Sequence, residues 1–326
     1  MRLNLLLNLC HSRAFNIALA FAAVIAAVAF FVTGHTVPLT GDKGLILPSA
    51  NTWILGIAAD CAAGIAGSVV TTVIMLMLNK VFNVLRSMTS LYIGLFALMQ
   101  LATPDLFTQF YSGTLLAIVV PACIFLLFSC YRDPGTTRHI FLIFFLLSGF
   151  GTTQYCFLLY VPAFLIGCAQ MRIFNARTVL AAIMGLITPW WILAGFGAID
   201  PATFTLPSFY SILSTINAED TLLLLITLGT TAGIMLLFFV LNFMKTIAYN
   251  ARARAINGMF IVIALTTIAV MAIDYTNILS YIPMLNFCAA LEATHYLSTH
   301  RADRSVIAIL ILYAVYAALF ACQIII

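Results

Sequence analysis

Charged residues are scarce in this sequence: Asp, Glu, Lys and Arg make up 7% of its 326 residues, while 64% are hydrophobic. Soluble domains have about a quarter charged residues, so the composition argues against a water-soluble fold. The mean hydropathy of +1.14 leads to the same conclusion. We expect an all-α fold, a polytopic transmembrane helix bundle that forms one integral membrane domain over residues 1–326.

Several sequence motifs of enzymes are missing. There is no P-loop and no GxGxxG motif, and the predicted loops are too short for a nucleotide-binding domain. Glu292-Ala-Thr-His295 matches half of a di-iron carboxylate motif, but such a site needs further glutamates and the sequence has only Glu219 besides. Five histidines are too few for a membrane desaturase. We expect no metal, no cofactor and no nucleic-acid partner, and the missing motifs argue against an enzyme.

Cysteine pairs are also missing, because the eight cysteines form no CxxC motif and nearly all lie in apolar runs. They are typical of small buried hydrophobic residues rather than of disulfides or metal ligands. A cleavable signal peptide is not expected, since the apolar run of residues 1–10 is short. Polar and apolar side chains alternate there with helical spacing, which predicts an interfacial helix over residues 1–13.

Long apolar runs are what the sequence does have, and they predict about eleven membrane spans. The runs cover residues 14–32, 53–78, 87–102, 112–130, 139–153, 155–169, 179–196, 221–244, 256–273, 278–298 and 305–326. The loops between them divide the charge: 13 of the 14 Lys and Arg residues fall on one side, and only Lys43 falls on the other. By the positive-inside rule the N-terminus is cytoplasmic and the C-terminus is outside.

The sixth and tenth runs begin alike, with Tyr160-Val-Pro162 and Tyr281-Ile-Pro283, and each carries a Cys-Ala further on. Duplicated helical hairpins would explain the likeness. The alternative is that Pro and Gly are simply common near the ends of membrane helices.

The strongest candidate site lies in the tenth run, which contains an acid inside a hydrophobic stretch. At 100° per residue, Glu292, His295 and Tyr296 fall on one stripe of the helix. A carboxylate at that depth is unfavourable unless it is protonated, paired or hydrated. Glu292 therefore either hydrogen-bonds to a neighbouring helix or belongs to a polar path for protons or substrate.

Asp60 is a second buried acid. Gly56, Asp60, Gly64 and Ser68 recur every fourth residue, and such a seam of small residues lets helices approach closely. We expect Asp60 to face protein rather than lipid, either as a structural hydrogen-bonding group or as an ion or proton site.

Three segments carry a resemblance to a family. They are Asn79-Lys80 to Arg86, Tyr131-Arg132-Asp133-Pro134, and Arg177 leading to Pro189-Trp190-Trp191. In these segments the chain resembles multi-spanning inner-membrane proteins of the Bacteroidota whose function is uncharacterised, over roughly residues 79–197. The resemblance implies the inner membrane of a Gram-negative bacterium, and it carries over no catalytic residue.

These observations favour a non-enzymatic role in transporting or handling an amphipathic cell-envelope component, which would be a small or lipid-linked substrate. The basic loops predict contact with anionic lipids at the cytoplasmic face. One alternative is a polytopic glycosyltransferase that uses polyprenyl-linked sugars, for which Asp42 would be the outer catalytic acid. Another alternative is a packing subunit of a membrane complex.

Overall fold

The computed structural model describes residues 12–34, 45–85, 89–133, 135–199, 218–246, 249–299 and 303–325. These residues form helices joined by turns, and no strand occurs among them. The longer helices are α1 (Arg13–Val32), α2 (Ile57–Phe82), α3 (Thr89–Leu101), α4 (Ser112–Ser129), α5 (Thr137–Gly151), α6 (Val161–Gln170), α7 (Ala176–Gly195), α8 (Ala218–Thr246), α9 (Ala251–Ile273), α10 (Ile282–Thr299) and α11 (Asp303–Ile325), and a single helical turn, Pro104–Phe107, lies between α3 and α4.

Each predicted run thus contains one α-helix, and seven of the described helices are long and apolar enough to cross a membrane: α1, α2, α4, α7, α8, α9 and α11. This confirms a multi-pass, all-helical architecture. Helices α3 and α5 and the 155–170 segment are apolar but shorter. Helix α10 is less apolar because it carries Asn286, Glu292 and His295. The count of eleven spans and the orientation of the termini therefore remain predictions.

Two helices begin with a 3-10 segment rather than as the continuous α-helix that the apolar runs suggested. Tyr155–Tyr160 precedes α6, and Tyr275–Tyr281 precedes α10. In both places the second residue of the α-helix is a proline, Pro162 or Pro283. Proline is favoured at the start of an α-helix because its missing N–H has no partner there anyway. The two segments share this local structure, while their origin by duplication remains a hypothesis.

Helices α3 and α10 lie at the centre of the bundle. Helix α10 contacts α3, α4, α8 and α9, and α3 also contacts α1 and α11. Nearly every described side chain of α10 is buried, on the stripe of Glu292 and on the opposite face alike. A helix buried all round has no lipid-facing side, so its sequence shows little amphipathic pattern.

Small residues set the closest helix contacts. Gly64 and Gly67 of α2 lie directly against α4 and the turn that precedes it, and Gly185 of α7 lies against the backbone of α5. The predicted seam therefore does face protein, but its contact stripe runs through Gly64, Gly67 and Thr71, all buried. Gly56 is exposed and has no neighbour that an added Cβ would meet.

The loops at each end of the bundle contact one another. We call one end the basic end; it contains residues 130–133, 171–175 and 249–250, where the Arg132 N–H donates to the Met171 carbonyl at 3.1 Å. At the opposite end, the start of α4 is joined to the 3-10 segment Tyr275–Tyr281. There the Tyr111 hydroxyl donates to the Leu279 carbonyl at 3.1 Å.

Candidate polar site between α8, α9 and α10

Glu292 lies in the second half of α10 with only 3% of its surface exposed. Its carboxylate accepts a hydrogen bond from Asn242 Nδ2 of α8 at 2.5 Å, and the same nitrogen lies 2.9 Å from the Glu292 backbone carbonyl. One amide group therefore holds both the side chain and the backbone at this position. A hydrogen bond of this kind offsets part of the free energy needed to bury a carboxylate.

A small cavity of about 10 Å³ adjoins this carboxylate. Its polar walls are Glu292 and His295 of α10, Asn242 of α8 and Asn257 of α9, and its apolar walls include Phe260 and Leu291. That volume is close to the space that a single water molecule needs, and the polar groups supply the partners that such a water requires. The cavity can thus hold about one water molecule between these polar side chains.

His295 follows Glu292 by one helical turn and is 8% exposed. The Tyr249 hydroxyl lies 3.4 Å from His295 Nε2, at the basic end of the bundle. Glu292, His295 and Tyr249 therefore form a series of polar groups that runs from the bundle interior towards that end. Imidazole can change charge near neutral pH, which suits such a series to proton transfer.

Tyr296, which shares the predicted stripe, has a different environment. Its ring packs against Phe238 of α8 with centroids 5.5 Å apart. The structure thus places Glu292 and His295 beside one cavity, whereas the contact observed for Tyr296 is aromatic packing.

Asp60 lies half-buried in the first turn of α2 and accepts a hydrogen bond from the Phe110 backbone N–H at 2.9 Å. A carboxylate is favoured there by the partial positive charge of the helix N-terminus. If Asp60 has a structural role, it must hydrogen-bond to another part of the bundle, and the Phe110 N–H is such a partner. It joins α2 to the turn before α4, whereas Glu292 is held between α8, α9 and α10. Asp42 lies outside the described residues.

Asp274 is a buried acid that was not among the candidate site residues of the sequence analysis. It ends α9, is 2% exposed, and accepts hydrogen bonds from Tyr155 at 2.8 Å and from Tyr281 at 2.6 Å. The Asn277 amide donates to it at 3.0 Å and also contacts the Tyr155 hydroxyl. All these donors are neutral, and they link the two 3-10 segments. In the sequence, the only local sign of this cluster is the run of polar residues Asp274-Tyr275-Thr276-Asn277.

An apolar cavity of about 250 Å³ lies between α1, α2 and α3. Among its lining residues only Ser68, Thr72 and Gln100 are polar. Gln100 Oε1 accepts a hydrogen bond from Asn286 Nδ2 of α10 at 3.1 Å. This hydrogen bond between two side-chain amides therefore connects the wall of the apolar cavity to the central helix α10.

All seven cysteines in the described part of the chain are free, and six of them are buried. Comparison of the chain with protein-family models, curated proteins and solved structures finds no match.

Proposed function

We propose that the chain is a multi-pass protein of a bacterial inner membrane that transports or handles an amphipathic envelope component without being an enzyme. In this proposal its eleven helices all cross the membrane, and the basic end is cytoplasmic. The division of Lys and Arg between alternate loops supports this orientation. The resemblance to inner-membrane proteins of the Bacteroidota supports the location.

The observation that carries the proposal is the burial of Glu292 beside a cavity shared with His295, Asn242 and Asn257. Ionisable groups within membrane helices are unfavourable and are typically found along substrate or proton paths. A packing role alone would need only the hydrogen bond between Asn242 and Glu292. It gives no account of why a titratable imidazole lines the same cavity.

The amphipathic nature of the substrate is supported by the cavity between α1, α2 and α3. Its apolar walls suit an alkyl or polyprenyl chain, and Gln100 places one polar group within it. Because Gln100 is bound to Asn286 of α10, a ligand in this cavity would be one hydrogen-bonded amide pair away from the helix that carries Glu292.

Glu292→Gln tests the proposal because it keeps the shape and an acceptor oxygen for Asn242 while it abolishes titration. The assay compares strains of the source bacterium that lack the gene or carry a variant, scored for growth with deoxycholate over a range of pH. We expect the deletion strain to be sensitive, and the Glu292→Gln protein to reach the membrane in normal amounts without restoring resistance.

Thr227→Val is the matched control, because it removes a buried polar group of α8 whose hydroxyl bonds only within its own helix, to the Leu223 carbonyl. This variant should restore resistance fully. Full restoration by Glu292→Gln would contradict a titrating role for the carboxylate. A deletion strain with normal envelope resistance at every pH would contradict the envelope role itself.

A further inference from the structure

A second, larger cavity lies at the basic end between α6, α8 and α9, and it shares only Ile261 with the cavity beside Glu292. Its volume is about 420 Å³. Its polar lining consists of Gln170 at the end of α6, Arg172 in the following turn, and Arg254 in the first turn of α9. The remaining lining residues are apolar or glycine. A cavity with two guanidinium groups and apolar walls is suited to a ligand that has both a negative charge and a hydrocarbon part.

The polarity of this cavity changes along a single stripe of α9. Its lining positions 251, 254, 255, 258, 261 and 262 follow helical spacing, and they extend over about 16 Å at 1.5 Å per residue. We call the end of the cavity at Arg172 and Arg254 its mouth and the small residues Ala255 and Gly258 its floor; along α9, Ile261 and Val262 are furthest from the mouth. A charged headgroup at the mouth and an alkyl chain along the floor would match this order.

Cations are concentrated around the mouth. Besides Arg172 and Arg254, the guanidinium groups of Arg132 and Arg252 lie over the ring of Tyr131, at 5.5 and 5.9 Å from its centroid. Two turns and the start of α9 thus bring four arginines to one region of the surface. Arginine binds phosphate and carboxylate groups through paired hydrogen bonds in a fixed geometry, so such a region suits the phosphate group of a lipid.

A polar atom in the wall has no partner within the described structure. Gln170 Oε1 is buried and accepts no hydrogen bond there, and the side chain lies against Gly258, where an added Cβ would come within 3.4 Å of Oε1. A buried acceptor without a donor is unfavourable by about 1–3 kcal/mol, so a ligand that supplies a hydroxyl group would be favoured here.

We propose that this cavity binds an anionic phospholipid whose headgroup carries hydroxyl groups. Its phosphate would lie between Arg172 and Arg254, a headgroup hydroxyl would donate to Gln170, and one acyl chain would follow Ile261 and Val262 into the bilayer. Inorganic phosphate would satisfy only the mouth and would leave the apolar floor empty. The membrane leaflet at the basic end is the source of the ligand.

The test measures lipid binding to the full-length protein in detergent by native mass spectrometry, with phosphatidylglycerol and phosphatidylcholine of the same acyl chains. Phosphatidylglycerol should bind more tightly, and the double variant Arg172→Asn/Arg254→Gln should weaken it by about tenfold or more through loss of charge-assisted hydrogen bonds. The double variant Arg138→Gln/Arg177→Gln removes the same charge from exposed positions outside the cavity and should bind as the wild type does.

Gly258→Leu supplies an independent arm, because it fills the floor without changing any charge, and it should also weaken phosphatidylglycerol binding. Should this variant fail to fold, the comparison between the two arginine double variants decides the question alone. Equal binding of the two lipids would overturn the proposal. So would equal loss in both arginine double variants, or competition by millimolar inorganic phosphate, which would assign the mouth to a soluble anion.

Discussion

The contact between α2 and α4 can be tested by adding a single methyl group to Gly64. A Cβ at this position would lie 2.7 Å from the Gln109 carbonyl oxygen and 2.8 Å from the Gln109 carbonyl carbon and nitrogen. These are backbone atoms, so they cannot rotate away as a side chain could. The two helices would have to separate by several tenths of an ångström. We expect Gly64→Ala to lower the free energy of unfolding by about 1–3 kcal/mol, as overpacked cores do.

The same substitution at Gly229 of α8 is the matched control, since an added Cβ there has no neighbour within 4 Å. Gly229→Ala should raise the free energy of unfolding by about 0.5–1 kcal/mol, because alanine favours the helix. The two variants therefore differ in the sign of the effect. Unfolding would be followed by circular dichroism during titration of detergent-solubilised protein with sodium dodecyl sulfate.

Gly67 allows a rescue experiment. Its Cβ would collide with the side-chain methyl group of Thr114, which Thr114→Ser removes while it keeps the hydroxyl that donates to the Gln109 carbonyl. Gly67→Ala should be destabilising alone and much less so with Thr114→Ser. Equal changes for Gly64→Ala and Gly229→Ala, together with no rescue at Gly67, would refute the close packing of α2 on α4.

Three further outcomes are expected. Asp274→Asn should lower the free energy of unfolding by about 1–3 kcal/mol in the same titration, because the new amide group faces hydroxyl donors; an unchanged value would show that the cluster contributes nothing. Asp60→Asn should lower it by less than about 1 kcal/mol, since the amide oxygen still accepts from the Phe110 N–H; a larger loss would mean that the charge matters. A reporter active only outside the cytoplasm should work after Ile326 or within residues 198–217 and be silent near Pro134 or Asn250; the opposite pattern would reverse the orientation.

The positions of the helices could be predicted from the sequence because a membrane helix needs a long apolar run, which is visible locally. The neighbours of each helix could not. Asp274 is 119 residues from Tyr155, and nothing near either residue indicates that they meet. Likewise, the stripe of Glu292 on α10 predicted one polar face, but α10 is buried on every face, so periodicity could not identify Asn242 as the partner. For Asp60, the spacing of the glycines correctly predicted a contact with protein. The sequence did not indicate the partner, Phe110, which lies in a distant turn.

Two polar contacts described in the bundle join groups that are far apart in the order of synthesis. Gln100 of α3 is bound to Asn286 of α10, 186 residues later, and Asn16 Oδ1 of α1 accepts from the Tyr313 hydroxyl of α11, 297 residues later. At about 5–20 residues per second the ribosome needs tens of seconds to complete these pairs. Until then, the earlier side chains lack their final donors in a solvent that cannot replace them.

Helices α10 and α11 therefore supply hydrogen-bond donors to helices that are made much earlier. Until these two helices have been made, Gln100 cannot bind Asn286 and Asn16 cannot bind Tyr313. The contacts that hold α1 and α3 in the finished bundle are therefore completed only after α10 and α11 have been made.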